Sequence, residues 1–214
     1  MEEEFFLWRD KMKENKAAIV LHGIMVILEL IAVIHDIRVF GGGMFQYYTI
    51  DSNVLQMIVS ACLLAYLLRG KSVPAWLTVL HLISAVCLTV TFMIAAFVLA
   101  PQEGFAYYFL ANVAPINHFL GPVFSMITFV FLQTGPQLKK RMVFAPPAAT
   151  LLYGVIVLIL NALRVLDGPY FFLRVYETPV SAVIMWFLII AVLSIALSAL
   201  YMWLRNLVRH RHKR

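Results

Sequence analysis

Apolar residues fill this chain in blocks too long for strands and too continuous for the amphipathic helices of a water-soluble core. Six blocks, at about 17–37, 45–68, 74–100, 113–134, 146–165 and 179–207, are separated by turn chemistry. The joints are Gly41-Gly42-Gly43, Arg69-Gly70-Lys71, Pro101 to Gly104, Gly135-Pro136 and Asp167-Gly168-Pro169. A helix needs about 20 apolar residues to cross the ~30 Å hydrocarbon layer. The pattern therefore predicts an all-α, polytopic bundle of six transmembrane helices. Ahead of it, residues 1–16 mix Phe5, Phe6 and Trp8 with Arg9, Lys11, Lys13 and Lys16, which predicts an amphipathic interfacial lead-in. Residues 17–207 form the transmembrane domain, and 208–214 a basic tail. No strand-like alternation and no internal repeat interrupts this reading.

Composition agrees: 63% of the 214 residues are hydrophobic and 13% charged, with a mean hydropathy of +0.88. A water-soluble domain of this size is excluded. The acidic opening Met1-Glu2-Glu3-Glu4 argues against a cleaved signal. Cys62 and Cys87 both fall inside apolar blocks and form no disulfide or metal framework. The net charge of +6 belongs to loops rather than to a nucleic-acid surface. Of the 17 Lys and Arg, only Arg38, Arg164 and Arg174 lie on the side opposite the two termini. The positive-inside rule then expects both termini in the cytoplasm of a multi-pass protein, with membrane lipids around it.

The second block departs from plain hydrophobicity. Thr49, Ser52, Asn53, Gln56 and Ser60 fall at i, i+3, i+4, i+7 and i+11, one stripe of a helix, with Asp51 pointing the other way. Polar groups in hydrocarbon face a bundle interior or a wet cavity, or else glue neighbouring helices. The first block has a second line: His22, Glu29 and Asp36, seven residues apart, share one face. They read as a buried structural pair or as a polar relay involving Glu29 and Asp51. His118 opens the fourth block within Asn117-His118-Phe119-Leu120-Gly121-Pro122, and Pro122 is expected to free a carbonyl and kink that helix. In the expected topology Thr49 and His118 lie at similar depth on the same side.

Threonine and histidine are the parts of nucleophilic acyl transfer: the imidazole takes the hydroxyl proton as the oxygen attacks. Ser52, Asn53, Asn117 and Gln56 are candidate oxyanion or substrate contacts, and Arg164 a candidate for an acidic head group. Asp51, Asn112 and Glu29 are candidates to orient His118. No zinc, phosphate-loop or dinucleotide pattern is present, so neither a metal nor another cofactor is expected.

Phe45-Gln46-Tyr47-Tyr48-Thr49-Ile50-Asp51-Ser52-Asn53, Leu88-Thr89-Val90-Thr91-Phe92, Asn117-His118-Phe119-Leu120-Gly121-Pro122 and Leu152-Tyr153-Gly154 resemble a bacterial group of small six-span membrane proteins. That group is similar to the eukaryotic androgen-induced protein and the androgen-dependent regulator of tissue factor pathway inhibitor. The resemblance implies an intramembrane threonine hydrolase of fatty acid esters of hydroxy fatty acids, with Thr49 as nucleophile and His118 as its partner. The expected substrate is a long-chain acyl ester entering from the outer leaflet, through an acyl-threonine intermediate. A small proton-coupled transporter using His22, Glu29 and His118, or a non-catalytic membrane scaffold, are the alternatives.

Overall fold

A computed structural model describes residues 2–132 and 134–211, the side chains of 2–15, 210 and 211 excepted. Every regular element among them is helical: α1 (Glu2–Phe40), α2 (Tyr48–Leu68), α3 (Ala75–Glu103), α4 (Phe105–Phe109), α5 (Ile116–Val130), α6 (Ala145–Ala162) and α7 (Val180–Arg211). Five helical stretches are long and apolar enough to cross a bilayer: Lys16–Gln46, Tyr48–Leu68, Ala75–Glu103, Lys140–Ala162 and Val180–Arg209.

The fourth apolar block differs from expectation. Its helix covers only Ile116–Val130, because Asn112 adopts a left-handed backbone (φ 46°) and Pro115 caps the first turn. The backbone of α1 runs through residue 16 without a break. The lead-in's own side chains before Lys16 and the tail residues 212–214 lie outside the described residues.

Two prolines shape the long helices. Pro101 and Pro122 each follow a π-helical turn, Ala95–Leu99 in α3 and Ile116–Leu120 in α5. A proline inside a helix has no N–H to give the preceding turn, and a wider turn accommodates the loss. In the π register the carbonyl deprived by Pro122 is that of Asn117. Asn53 Nδ2 supplies the missing donor at 3.2 Å. The proline thus ties α5 to α2 rather than simply kinking it.

α3 is the central strut, packed by α2, α5, α6 and α7, while α1 lies against α2 and α5. Leu82, Ala85, Val86 and Val90 of α3 meet Phe129 and Val130 of α5 and Tyr201 of α7. The outer faces are apolar: Ile27, Leu30, Ile31 and Ile34 on α1 and Val180, Ile184, Leu188 and Val192 on α7 are exposed. Polar residues lie inward, the arrangement a bilayer requires.

Arg205, near the end of α7, is buried: it is 3% exposed. Its guanidinium donates to the carbonyls of Phe129 and Gly135, each at 2.9 Å, and stacks 4.7 Å over the Phe129 ring. It caps the end of α5 from α7, where the last helical carbonyls have no partners of their own. Arg205→Met keeps the stem but removes these charged donors, so it should destabilise the fold by about 2–4 kcal/mol. Thermal unfolding of purified protein, with Arg205→Lys as a partial rescue, checks this.

Candidate functional site

The polar stripe of α2 turns inward as a unit. Ser52, Asn53, Gln56 and Ser60 are each at most 3% exposed, and Thr49, at the top, is half-buried. Below Thr49 the stripe is a chain of helix contacts. Ser52 Oγ donates to the Thr49 carbonyl at 2.9 Å and lies 3.1 Å from Thr91 Oγ1 of α3. Gln56 receives Ser125 Oγ at 2.7 Å and donates to Ser60 Oγ at 2.8 Å, and Ser60 stands 3.2 Å from His22 Nδ1. Both Ser52 and Gln56, candidate substrate contacts by sequence, are thus engaged in packing and line neither of the cavities described next.

Thr49 stands between two cavities. One is a vestibule of about 530 Å³, reached by His35 and Asp36 of α1, Gln102 and Glu103 of α3, Tyr107 and Tyr108 of α4, Asn117 and His118 of α5, and Arg174. The other is a narrow cleft of about 50 Å³ walled by Val90, Ile94, Leu151, Gly154, Phe187 and Ile190, with little polar surface. Thr49, Leu99 and Tyr170 line both. The first turn of α2 is therefore where a polar space and an apolar one adjoin.

Tyr170 reaches this point from the 163–179 connection, which folds back over the bundle. Gly168, in a left-handed conformation (φ 74°), makes the turn. Asn161 ties the connection down, with Nδ2 donating to the Leu166 carbonyl and Oδ1 accepting from the Val175 amide. The Tyr170 hydroxyl lies 3.5 Å from the Thr49 amide and faces the Thr49 side chain. Burial pushes its phenol above the ordinary tyrosine range, so at neutral pH it is a hydroxyl able to donate. Tyr170 was not among the sequence candidates; its only signal was the preceding Asp167-Gly168-Pro169 turn.

His118 projects into the vestibule from the π turn of α5. Its ring lies edge-on to Tyr108 and Phe109, 5.5 and 6.1 Å between centroids, near the carbonyls of Tyr108 and Ala114. Nδ1 is buried with no hydrogen-bond partner among the described residues. Thr49 and His118 line the same vestibule, but no direct hydrogen bond joins them. Tyr108 donates to Glu103 Oε2 at 2.7 Å at the vestibule rim, and burial followed by that carboxylate raises its phenol above the usual range.

Asn117 is 6% exposed; its Nδ2 donates to Asp36 Oδ2 at 3.2 Å, and Asp36 Oδ1 lies 3.2 Å from His35 Nδ1. Asn53 Nδ2 bridges the Thr49 and Asn117 carbonyls at 2.7 and 3.2 Å. These bonds orient the backbone around Thr49 and use both amide hydrogens of Asn53, whereas Asn117, which lines the vestibule, gives one of its two to Asp36. Asp51 is half-buried and lines neither cavity, and Asn112 lines the vestibule from an exposed turn. Arg164, left-handed at φ 57° and stacked 4.4 Å over Tyr176, is exposed and away from both cavities. The Gly41 to Gly43 turn is exposed and lines neither cavity.

His22, Glu29 and Asp36 are all buried on one face of α1, at 0%, 0% and 3% exposure. Neither carboxylate oxygen of Glu29 has a hydrogen-bond partner among the described residues. Among those residues no group of three or more His, Cys, Asp or Glu converges on a metal position. Compared with known proteins, the chain matches no family model, no curated protein and no solved structure.

Proposed function

We propose that this protein is an intramembrane hydrolase of long-chain ester lipids with Thr49 as its nucleophile. The observation that carries the reading is the position of Thr49 at the junction of an apolar cleft and a polar vestibule. An ester of a long acyl chain has the same division: a hydrocarbon tail for the cleft and an oxygen-rich leaving group for the vestibule. The resemblance to the androgen-induced protein family favours fatty acid esters of hydroxy fatty acids as that substrate.

In this mechanism His118 takes the Thr49 hydroxyl proton, directly or through one water of the vestibule, as Oγ1 attacks the ester carbonyl. The Tyr170 hydroxyl donates to the developing oxyanion. Collapse breaks the bond to the alcohol, which takes the proton from His118 and leaves by the vestibule. Water then enters from the same side, hydrolyses the acyl-threonine and restores both residues. Catalysis uses chain residues alone, without a cofactor.

A fluorophosphonate probe tests the nucleophile. Detergent-purified wild type should be labelled and Thr49→Ala should not. No labelling of folded wild type, or equal labelling of the variant, overturns the proposal. A proton-coupled carrier is the second reading. What favours it is the buried polar line from Asp36 through Asn117, Asn53 and Glu29 toward Gln56, Ser60 and His22. A carrier predicts proton flux in liposomes and no labelling.

The same proposal holds six crossings, α5 supplying the short one, with both termini in the cytoplasm of a bacterial inner membrane. Cysteine at Glu103 should then react with an impermeant reagent added outside intact cells, and cysteine at Lys140 should not. The opposite pattern reverses the orientation.

A further inference from the structure

In catalysis by a hydroxyl and an imidazole, a third group commonly holds the ring and balances the charge it gains. Of the candidates to orient His118, Asp51 and Glu29 line neither cavity, and Asn112 carries no charge. Among the described residues no carboxylate bonds the ring. Nδ1 has no hydrogen-bond partner there, and the ring lies among the Tyr108 and Ala114 carbonyls and two aromatic edges. A charge that serves His118 therefore acts across a gap.

Asp36 is placed to do this. It lines the vestibule with Thr49 and His118, yet it is almost fully buried. Its Oδ2 accepts from Asn117 Nδ2 at 3.2 Å, and its Oδ1 lies 3.2 Å from His35 Nδ1. With both oxygens engaged, the carboxylate is held in place. Asn117 immediately precedes His118 in the π turn of α5. The Asn117 carbonyl accepts from Asn53 Nδ2, which also donates to the Thr49 carbonyl. These bonds join Asp36 to the turn that carries His118 and to the turn that carries Thr49. The other charged groups at the vestibule are spent elsewhere. Glu103 stands at the exposed rim and accepts from Tyr108. Arg174 donates to the Gly168 carbonyl and to Glu177. His35 is bound to Asp36 itself. Asp36, screened little by solvent because it is buried, is the charge whose field bears on His118.

When His118 takes the Thr49 proton it becomes an imidazolium away from bulk water. A carboxylate already fixed nearby lowers the cost of that charge, and more so in a buried site than in solvent. We propose that Asp36 is the positioning residue of this site: through Asn117 it sets the turn that carries His118, and its charge stabilises the imidazolium. Asp36 takes no proton. The proton passes from Thr49 Oγ1 to the ring and from the ring to the leaving alcohol. This role rests on the hydrolase reading of Thr49 and His118.

Asp36→Asn separates the anchor from the charge, because the amide oxygen still accepts from Asn117 while the charge is gone. The test is hydrolysis of p-nitrophenyl palmitate by purified full-length protein in detergent, with thermal unfolding followed in parallel. In Asp36→Asn, kcat should fall about tenfold to a hundredfold, with KM and the unfolding midpoint close to wild type. Exchanging the pair, Asp36→Asn with Asn117→Asp, returns a carboxylate next to His118 with an amide as its partner. It should recover most of the loss, and it decides the matter if Asp36→Asn alone fails to fold. An Asp36→Asn protein as active as wild type, or a folded exchange variant that recovers nothing, overturns the role of Asp36 and leaves the hydrolase reading standing. A folded wild type that hydrolyses no ester overturns both.

Discussion

On the proposed mechanism, Thr49→Ala should lower ester hydrolysis by about three orders of magnitude, and His118→Ala in the same chain should cost little more. Groups that act in one step lose their value together: without the hydroxyl there is no proton for the imidazole to take. His118→Ala alone should come close to the same loss. The vestibule geometry adds a second expectation. Since no hydrogen bond joins Thr49 to His118, the pair must close on substrate or through water, so the histidine's loss should fall mainly on kcat. Thr49→Ser keeps the oxygen and should retain measurable activity. Both alanine variants should fold, because neither removes a large buried apolar group. Additive losses in the double variant would show that the two residues act in separate steps. An active Thr49→Ala would remove the nucleophile altogether.

On the proposed function, Gly154→Val should shift ester hydrolysis from long-chain to short-chain substrates. A Cβ at Gly154 would lie 3.0 Å from Phe187 Cζ and 3.2 Å from Cε1, closer than carbon atoms settle. Phe187 and Gly154 both line the narrow cleft, so the added side chain either enters it or drives the ring into it. If the cleft holds the acyl chain, kcat/KM for long acyl esters should fall about tenfold to a hundredfold. An acetyl ester, which does not enter it, should be hydrolysed about as before. Equal losses on both esters would mean that the acyl chain lies elsewhere and that Gly154 serves only the packing of α6 on α7.

The inward stripe of α2 and the buried face of α1 were legible because helical periodicity places residues on faces, and hydrocarbon permits polar groups on only one of them. Turn residues marked the joints for a similar reason: Gly70, Gly104 and Gly168 take positive φ. What periodicity does not carry is which partner waits on the facing helix. Ser52 and Asn53 belong to the same stripe, yet one meets Thr91 and the other meets the carbonyl that Pro122 deprives. The second pairing depends on the π turn, which shifts the affected carbonyl by one residue. Tyr170 was hidden further, since a residue in a connection acquires its position only when the connection folds back. The bonds of Arg205 were hidden in the same way, since the end of α5 comes beneath it only when α7 packs on α5.

The short helix α5 has a consequence for the membrane itself. Fifteen residues rise only about 22 Å, against a hydrocarbon layer of about 30 Å. Its neighbours are longer, and Phe119 on its first turn is 48% exposed. In a bilayer the lipids beside that turn face a hydrophobic mismatch that no tilt of the whole bundle relieves, because the other helices would then be too long. With α5 as the sixth crossing proposed above, the leaflet must dip there, drawing head groups toward the vestibule end of α5. A thicker bilayer deepens the dip and a thinner one removes it, so membrane thickness bears on this protein at one spot, beside His118.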